Sequence, residues 1–239
     1  VAHLFALPAE LAVGLMLLAA SPGGATANLF SHLAKGDVAL NITLTAVNSV
    51  LSLVTMPLIV GLSMQHFMGT EKAIPLQFDK VLSVVAVSLT HNIIGMVIRS
   101  KRPDLANRLD KPVRIISAVF LVLVIAAAVL KQRAEIADQF AEVGLAALVF
   151  NLASMAVGYL LPRAFGVMRK QAVAIGMEIG IHNGTLAITL ALTVLESQRM
   201  SVPPAIYSLI MFFTAAAFGA WMARRADAPA AESSAAASA

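Results

Sequence analysis

Met177-Glu178-Ile179-Gly180-Ile181-His182-Asn183-Gly184-Thr185-Leu186 places a carboxylate, an imidazole, an amide and glycines inside a run otherwise apolar enough to lie in a membrane. An ionisable side chain at bilayer depth costs roughly 2.5–3.5 kcal/mol on insertion scales, so it marks function by default. The surrounding chain supports that setting. Of its 239 residues 59% are hydrophobic and 13% charged, against about 25% charged in a soluble domain, and the mean hydropathy is +0.84. This is the composition of an integral membrane protein. The net charge of +4 does not point to nucleic acid, because the basic residues sit in short connections between apolar runs and form no basic face. With no cysteine, disulfides, thiolate metal sites and thiol nucleophiles are excluded.

Outward from that stretch, the apolar runs set the organisation. A spanning helix needs about 20 apolar residues. Leu7 to Ala20 is shorter and stops at Ser21-Pro22-Gly23-Gly24, where proline removes a donor and paired glycine weakens a helix. Ala25 to Ala34 follows, so the two runs read as one discontinuous helix. After the turn Lys35-Gly36-Asp37, a full span is expected over about Val38 to Leu62, then a mixed interfacial loop or surface helix from Ser63 to Lys80. Further spans are expected at about Val81–Ile98, Val113–Leu130 and Phe140–Leu161. The opening stretch then lies in a second interrupted run, Ala172–Leu195, and a last span covers about Pro204–Ala223. The fold class is thus an all-α polytopic membrane protein, with a transmembrane domain over 1–225 and a disordered Ala/Ser-rich tail over 226–239.

Orientation follows from the basic residues. One set of connections carries twelve of them, including Arg99, Lys101, Arg102, Arg169, Arg224 and Arg225, and the other carries five: Lys72, Lys80, Lys131, Arg133 and Arg199. The positive-inside rule makes the first set cytoplasmic, with the C-terminus inside and Val1 outside. An outside start with no signal-like n-region is hard to make, so the expectation is that one or more spans belong ahead of Val1.

Two interrupted apolar segments point to a binding site between discontinuous helices near the midplane, as in inverted-repeat secondary transporters. Half-helix N-termini offer unpaired N–H groups to an anion. Here they fall at Ala25-Thr26-Ala27 and at Asn183-Gly184-Thr185, the candidate substrate-binding residues. Glu178 in the second break requires a cation, a proton or a basic partner. Asn151 reads as a hydrogen bond joining helices, His91-Asn92 as packing or cavity lining, and Glu10 and Glu142 as charges suited to helix starts. The eleven methionines and eleven phenylalanines read as packing.

Both breaks resemble the bile acid:sodium symporter family. Pro22-Gly23-Gly24-Ala25-Thr26-Ala27-Asn28 and Leu33-Ala34-Lys35-Gly36-Asp37-Val38-Ala39-Leu40 are similar to its PGGTASN and LAKGDVAL strings. Glu178-Ile179-Gly180-Ile181-His182-Asn183-Gly184-Thr185-Leu186-Ala187 is similar to its E-x-G-x-Q-N-x-x-L-A motif. The resemblance implies an inverted-repeat transporter fold of ten helices, the fourth and ninth broken and crossing. This chain would hold helices four to ten, with the first three largely missing. Core helices would occupy about 8–62 and 140–223, and panel helices about 81–130.

The resemblance also implies two sodium ions beside the crossing. Glu178 would bridge them, Asn28, Asn41 and Thr45 would give side-chain oxygens, and Ile179, Ile181 and His182 would give backbone carbonyls. Hard cations want such oxygen ligands. The sequence departs from the family at Ala27, where a serine ligand is expected, at Asn41, where another serine is usual, and at His182, where glutamine is usual. The His182 ring has two readings: a tuner of pH dependence, or a neutral side chain hydrogen-bonded within the crossing. The function implied is sodium-coupled symport of a small organic anion by alternating access, in the inner (plasma) membrane, surrounded by lipid, with no enzymatic activity. Proton coupling through Glu178 and His182, and a truncated chain inactive alone, stand as alternatives. An intramembrane hydrolase has weaker support, since Glu178 and His182 lack a nucleophile or a metal triad.

Overall fold

A computed structural model describes residues 1–69, scattered positions between 83 and 119, and residues 137–236, with side chains of the last helix described to Arg225 and only the backbone of Ala25. The first interrupted run is two helices, α1 (Ala9–Ala20) and α2 (Ala25–Leu33). Ser21 ends α1 in an extended conformation, φ −71° and ψ 144°, because the residue before a proline is driven out of the helical region. The turn at Lys35, with φ 57°, leads to Asp37, whose Oδ1 caps α3 by accepting the Leu40 N–H at 3.0 Å. Helix α3 (Val38–Met68) is longer than expected. Its polar last turns are absorbed rather than excluded: Ser63 and Met64 are buried, and the Ser63 hydroxyl donates to the Ile59 carbonyl at 2.6 Å. The stop is Gly69, in the left-handed region at φ 79°, a common way to end a helix. The start of the segment expected as an interfacial loop or surface helix is therefore a continuation of α3, and residues 70–80 lie outside the described residues.

The second half repeats the plan. A π-helical turn, Phe140–Gly144, opens α4 (Leu145–Ala164). The second interrupted run is α5 (Arg169–Gly180) and α6 (Gly184–Thr193), restarting one residue before the expected Thr185. Helix α7 (Gln198–Ala236) closes the chain. Its backbone stays helical through most of the 226–239 stretch expected as a disordered tail; alanine, frequent there, is the strongest helix former. The described positions within the expected spans 81–98 and 113–130 are helical. The other positions of those two spans, His91 and Asn92 included, lie outside the described residues.

Each half thus offers a broken helix followed by a long one. Helix α1, buried from Leu11 to Leu15 and at Leu17 and Leu18, packs between α3 and α7 and also touches α6, while α2 packs on α5, α3 and α7. The first half of each broken helix therefore lies beside the second half of the other, as an X-shaped crossing of inverted repeats requires. Close backbone approach holds α4 to α5: a Cβ on Gly158 would stand 3.0 Å from the Gly176 Cα. Small residues serve this purpose where lipid removes the hydrophobic drive between helices. At one end of the bundle Arg199 pairs with Glu10 at 3.7 Å and with Glu142. The two carboxylates expected to act only on helix dipoles thus tie α1 and the π-turn to α7, though half-exposed pairs add little stability.

Among the described residues three helices are long and apolar enough to cross a membrane, Val38–Met68, Ala137–Ala164 and Gln198–Arg225. Their outer faces are apolar: Val47, Val54, Leu58, Leu152, Leu160 and Phe213 are all exposed. The chain is an all-α, multi-pass membrane protein.

Candidate functional site

The two breaks meet backbone to backbone. Gly23 and His182 form an antiparallel bridge, in which the Gly24 N–H donates to the Ile181 carbonyl at 2.8 Å and the Asn183 N–H to the Pro22 carbonyl at 2.9 Å. Interrupted helices expose N–H and C=O groups that lipid cannot satisfy, and here each break supplies partners for the other.

Glu178, in the last turn of α5, points into this crossing and is 2% exposed. Its Oε2 lies 2.6 Å from the Thr45 hydroxyl and its Oε1 accepts from Asn48 Nδ2 at 3.1 Å. The Gly23 backbone N–H is a third donor. A Cβ on Gly23 would fall on the Glu178 carboxylate itself, so glycine is needed here for close approach. No ion pair among the described residues reaches Glu178.

Thr45 and Asn41 bring α3 to the same place. The Thr45 hydroxyl also faces the Asn41 carbonyl at 3.0 Å, giving one proton two acceptors. Asn41 Nδ2 donates to the Ala174 carbonyl at 2.7 Å, while its Oδ1 is buried without a partner; Asn28 Oδ1 is in the same condition. Buried polar atoms are nearly always hydrogen-bonded. The Glu178 carboxylate, the Thr45 hydroxyl and, one turn earlier on α3, the orphaned Asn41 oxygen are groups of the kind a hard cation takes. Of the expected carbonyl donors, that of Ile181 already accepts the Gly24 N–H and keeps one lone pair.

His182 is held from three sides. Its Nδ1 lies 3.2 Å from the Ser21 carbonyl, an acceptor, so Nδ1 carries the proton. The ring stacks on Phe150 at 5.7 Å and meets Tyr207 edge-on at 5.5 Å, and Nε2 is buried without a partner. This is the arrangement of a side chain bonded within the crossing.

An open cavity of about 360 Å³ adjoins Glu178 and His182 and is lined by Ser21, Gly23, Asn48 and Ser52, among others. Of the six substrate candidates, the five whose side chains are described, Thr26, Ala27, Asn183, Gly184 and Thr185, do not line it. Ala27 is fully buried. Thr26, one residue along, points about 100° away. Asn183 Oδ1 accepts the Leu186 N–H at 3.0 Å and so caps α6. Gly184 packs where a Cβ would strike Ser208, and Thr185 is exposed. Several of their backbone N–H groups are already committed: Ala27 donates to the Gly24 carbonyl, Asn183 to Pro22 and Gly184 to His182, at 2.8, 2.9 and 3.0 Å.

Sequence reasoning missed Asn48 and Ser52. The signal was present, because Asn41, Thr45, Asn48, Ser52 and Thr55 recur at alternating spacings of four and three, one stripe of a helix. It also missed Tyr207, which carried no such signal. Asn151 has the joining role expected for it: Nδ2 donates to the Gly180 carbonyl at 2.8 Å and to Tyr207 Oη at 2.9 Å, and Tyr207 Oη donates to the same carbonyl at 2.9 Å. Together they fasten the end of α5 just ahead of the break. Tyr207→Phe is expected to cost about 0.6–1.7 kcal/mol, the span measured for interhelical bonds in membranes, read as a lower melting temperature in detergent; an unchanged melting temperature would show the bond idle.

Crossed broken helices around a buried carboxylate, in a bundle of membrane-length helices, are the architecture of inverted-repeat secondary transporters. The sequence profile of the Sodium Bile acid symporter family matches residues 1–139, more than half of the chain, and the chain belongs to that family. It is 25% identical over 203 residues to the uncharacterized sodium-dependent transporter YocS of Bacillus subtilis, covering 85% of this chain and 61% of the relative. It is 27% identical over 210 residues to the probable chloroplastic sodium/metabolite cotransporter BASS1 of Arabidopsis thaliana, covering 87% and 51%. The human ileal sodium/bile acid cotransporter is 25% identical over 211 residues, covering 87% and 60%. The chain therefore spans about half to three-fifths of the length of these relatives. Family and relatives are transporters, which sets the hydrolase reading aside.

Proposed function

We propose that this chain carries out sodium-coupled symport of a small organic anion by alternating access. The observation that carries the proposal is Glu178: a buried carboxylate with no ion pair among the described residues, held by Thr45, Asn48 and Gly23, with the unpartnered Asn41 oxygen one helical turn before Thr45. A carboxylate in such a place is stable only with a counter-charge or a proton. Sodium, as co-transported substrate, would be that counter-charge. Glu178, Thr45, Asn41 and Asn28 would supply side-chain oxygens, and Ile179, Ile181 and His182 backbone carbonyls for a second ion. The relatives' names, sodium-dependent transporter and sodium/metabolite cotransporter, support the choice of ion.

Coupling is electrostatic. An unneutralised Glu178 repels an anion from the adjoining cavity, and bound sodium removes that repulsion. The anion's carboxylate would be met by the N-terminal ends of α2 (Ala25-Thr26-Ala27) and α6 (Asn183-Gly184-Thr185), where helix dipoles favour negative charge. Core helices would then move against panel helices, in an inner (plasma) membrane with the C-terminus cytoplasmic.

The test is melting of the purified chain in sodium against potassium or choline, with and without small carboxylates. Sodium should raise the melting temperature in the unaltered chain and much less in Asn41→Ala, which removes the unpartnered Oδ1; the Nδ2 bond to the Ala174 carbonyl goes with it and lowers the melting temperature equally in every salt. Equal melting in all three salts would defeat sodium coupling.

A proton in place of sodium has one observation in its favour. If Glu178 Oε2 bears a proton and donates it to Thr45, the Thr45 hydroxyl is freed to donate to the Asn41 carbonyl, and both short contacts are satisfied. Uptake driven by a pH gradient in sodium-free buffer would select this reading.

A further inference from the structure

At the end of the bundle opposite Arg199, an arginine fastens the first turn of α5 to the last membrane turn of α7. Arg169 Nη2 donates to the Met222 carbonyl, and Nη1 to the Arg225 carbonyl at 2.8 Å. The second carbonyl lacks its usual helical partner, because four residues further on stands Pro229, which has no N–H. Arg225 in turn lays its guanidinium over the Trp221 ring, 4.5 Å from the centroid. Both guanidinium groups thus lie against the single turn Trp221–Arg225. Helix α4 ends at the same corner: Tyr159 meets Phe218 edge-on at 5.6 Å, and one turn beyond Tyr159 is Arg163, whose Nη1 donates to the Val167 carbonyl at 2.8 Å.

Carbonyls and an aromatic ring hold these cations without neutralising them. Arginine does not give up its proton, and like charges gathered on one turn repel. The ion pairs among the described residues all involve Arg199, at the other end. Asp37 brings a carboxylate towards this end, its N–H donating to the Lys170 carbonyl at 2.9 Å, but its Oδ1 is engaged with the Leu40 N–H. Of five N–H donors Arg169 spends two. The rest, with those of Arg225, are open to an anion.

Depth says which anion. No charged residue stands between Arg199 and Arg224, roughly 36 Å of helix. A helix crossing about 30 Å of hydrocarbon therefore carries Arg225 to the level of the headgroups. Trp221, 46% exposed, is a residue type that settles at that boundary. The neighbouring outer surface is apolar, with Phe213 exposed on the same helix and Phe165 on the α4–α5 connection. A phosphate that carries acyl chains can lay them on this surface and set its charge on the arginines. Guanidinium takes phosphate oxygens two at a time, and basic corners between membrane helices are where anionic headgroups seat.

We propose that Arg169 and Arg225, with Trp221 as platform and Arg163 beside them, bind the headgroup phosphate of an anionic phospholipid, which pins α5 to α7 at the membrane surface. A zwitterionic headgroup serves poorly, because its ammonium meets the same cations. The lipid steadies the helix that carries Glu178, and the site stands whether or not sodium is the coupled ion.

The experiment is native mass spectrometry and melting of the full chain in detergent, in potassium chloride, with phosphatidylglycerol, phosphatidylcholine of the same acyl chains, or inorganic phosphate. Phosphatidylglycerol should stay bound and raise the melting temperature, and the other two should do neither. Arg225 and Trp221 are exposed, so Arg225→Gln and Trp221→Leu should melt without lipid much as the unaltered chain does. Arg225→Gln should bind phosphatidylglycerol roughly fivefold more weakly, Trp221→Leu should weaken it too, and Arg225→Lys should keep part of the affinity. Arg199→Gln, at the other end, should keep the full lipid response from a lower baseline. Equal responses to the two lipids would mean that acyl chains alone bind. An equal response to inorganic phosphate would mean a site for a free anion, and unchanged affinity in Arg225→Gln would put the lipid elsewhere. Any of the three overturns the proposal.

Discussion

Glu178→Gln is expected to abolish sodium-driven uptake while leaving the chain folded. Glutamine keeps the size of the side chain: its Oε1 can still accept from Asn48 Nδ2, 3.1 Å from that position, and its Nε2, where Oε2 stands 2.6 Å from the Thr45 hydroxyl, can donate to that hydroxyl. What it removes is the charge. A hydrogen bond or ligand contact to a charged group contributes about 1.5–3 kcal/mol, so sodium affinity should fall roughly ten- to a hundredfold. Stability should move the other way. In sodium-free buffer the unaltered chain holds a desolvated carboxylate, and the glutamine variant does not, so its melting temperature should be equal or higher. Addition of sodium should then raise melting in the unaltered chain and not in the variant. A Glu178→Gln chain that retained the sodium-dependent rise would remove Glu178 from the proposed ion site.

Gly23→Ala is expected to have the second-largest effect, and for a steric reason. Gly23 does not have a positive φ, so alanine meets no backbone strain there. Its Cβ would instead land on the Glu178 carboxylate. Either Glu178 must leave Thr45 and Asn48, or the Pro22–Gly24 strand must shift and break the bonds to Ile181 and Asn183 that join the two breaks. Overpacking of this kind costs about 1–3 kcal/mol, and either response dismantles the ion site, so sodium-dependent stabilisation should vanish with it. A double-mutant cycle isolates the cause. In a Glu178→Ala background the obstacle is gone, and Gly23→Ala should become nearly neutral, with a coupling of about 0.5–3 kcal/mol. Equal costs in both backgrounds would mean that the carboxylate is not what the Cβ meets.

How much of this was legible beforehand differs from residue to residue. Pro22 ends α1 by its own covalent geometry, and Ser21 follows it into the extended region, so the first break is readable from four letters. The second break, between Gly180 and Gly184, was readable from polar atoms in an apolar run. The end of α3 was misread at Leu62 because Ser63, Gln65 and His66 look like surface residues. A serine hydroxyl bonded to its own helix, as Ser63 is to Ile59, costs the helix little and gives no sequence signal.

Membrane embedding, the interruption of two helices and the anomalous charge at Glu178 can all be read from the residues in order, because each is a local property. They rest on hydropathy over about twenty residues, the absent N–H of proline, and the cost of ionisation in lipid. What Glu178 faces is not local and emerges only when the helices are assembled. Thr45 and Asn48 lie 133 and 130 residues from it along the chain, and Tyr207 reaches Gly180 across 27. Hydrogen bonds between separate helices depend on how those helices cross and rotate, and packing sets that angle, not the propensities of the residues that make the bonds. The partners of a buried carboxylate are therefore a property of the crossing, while its presence is a property of the chain.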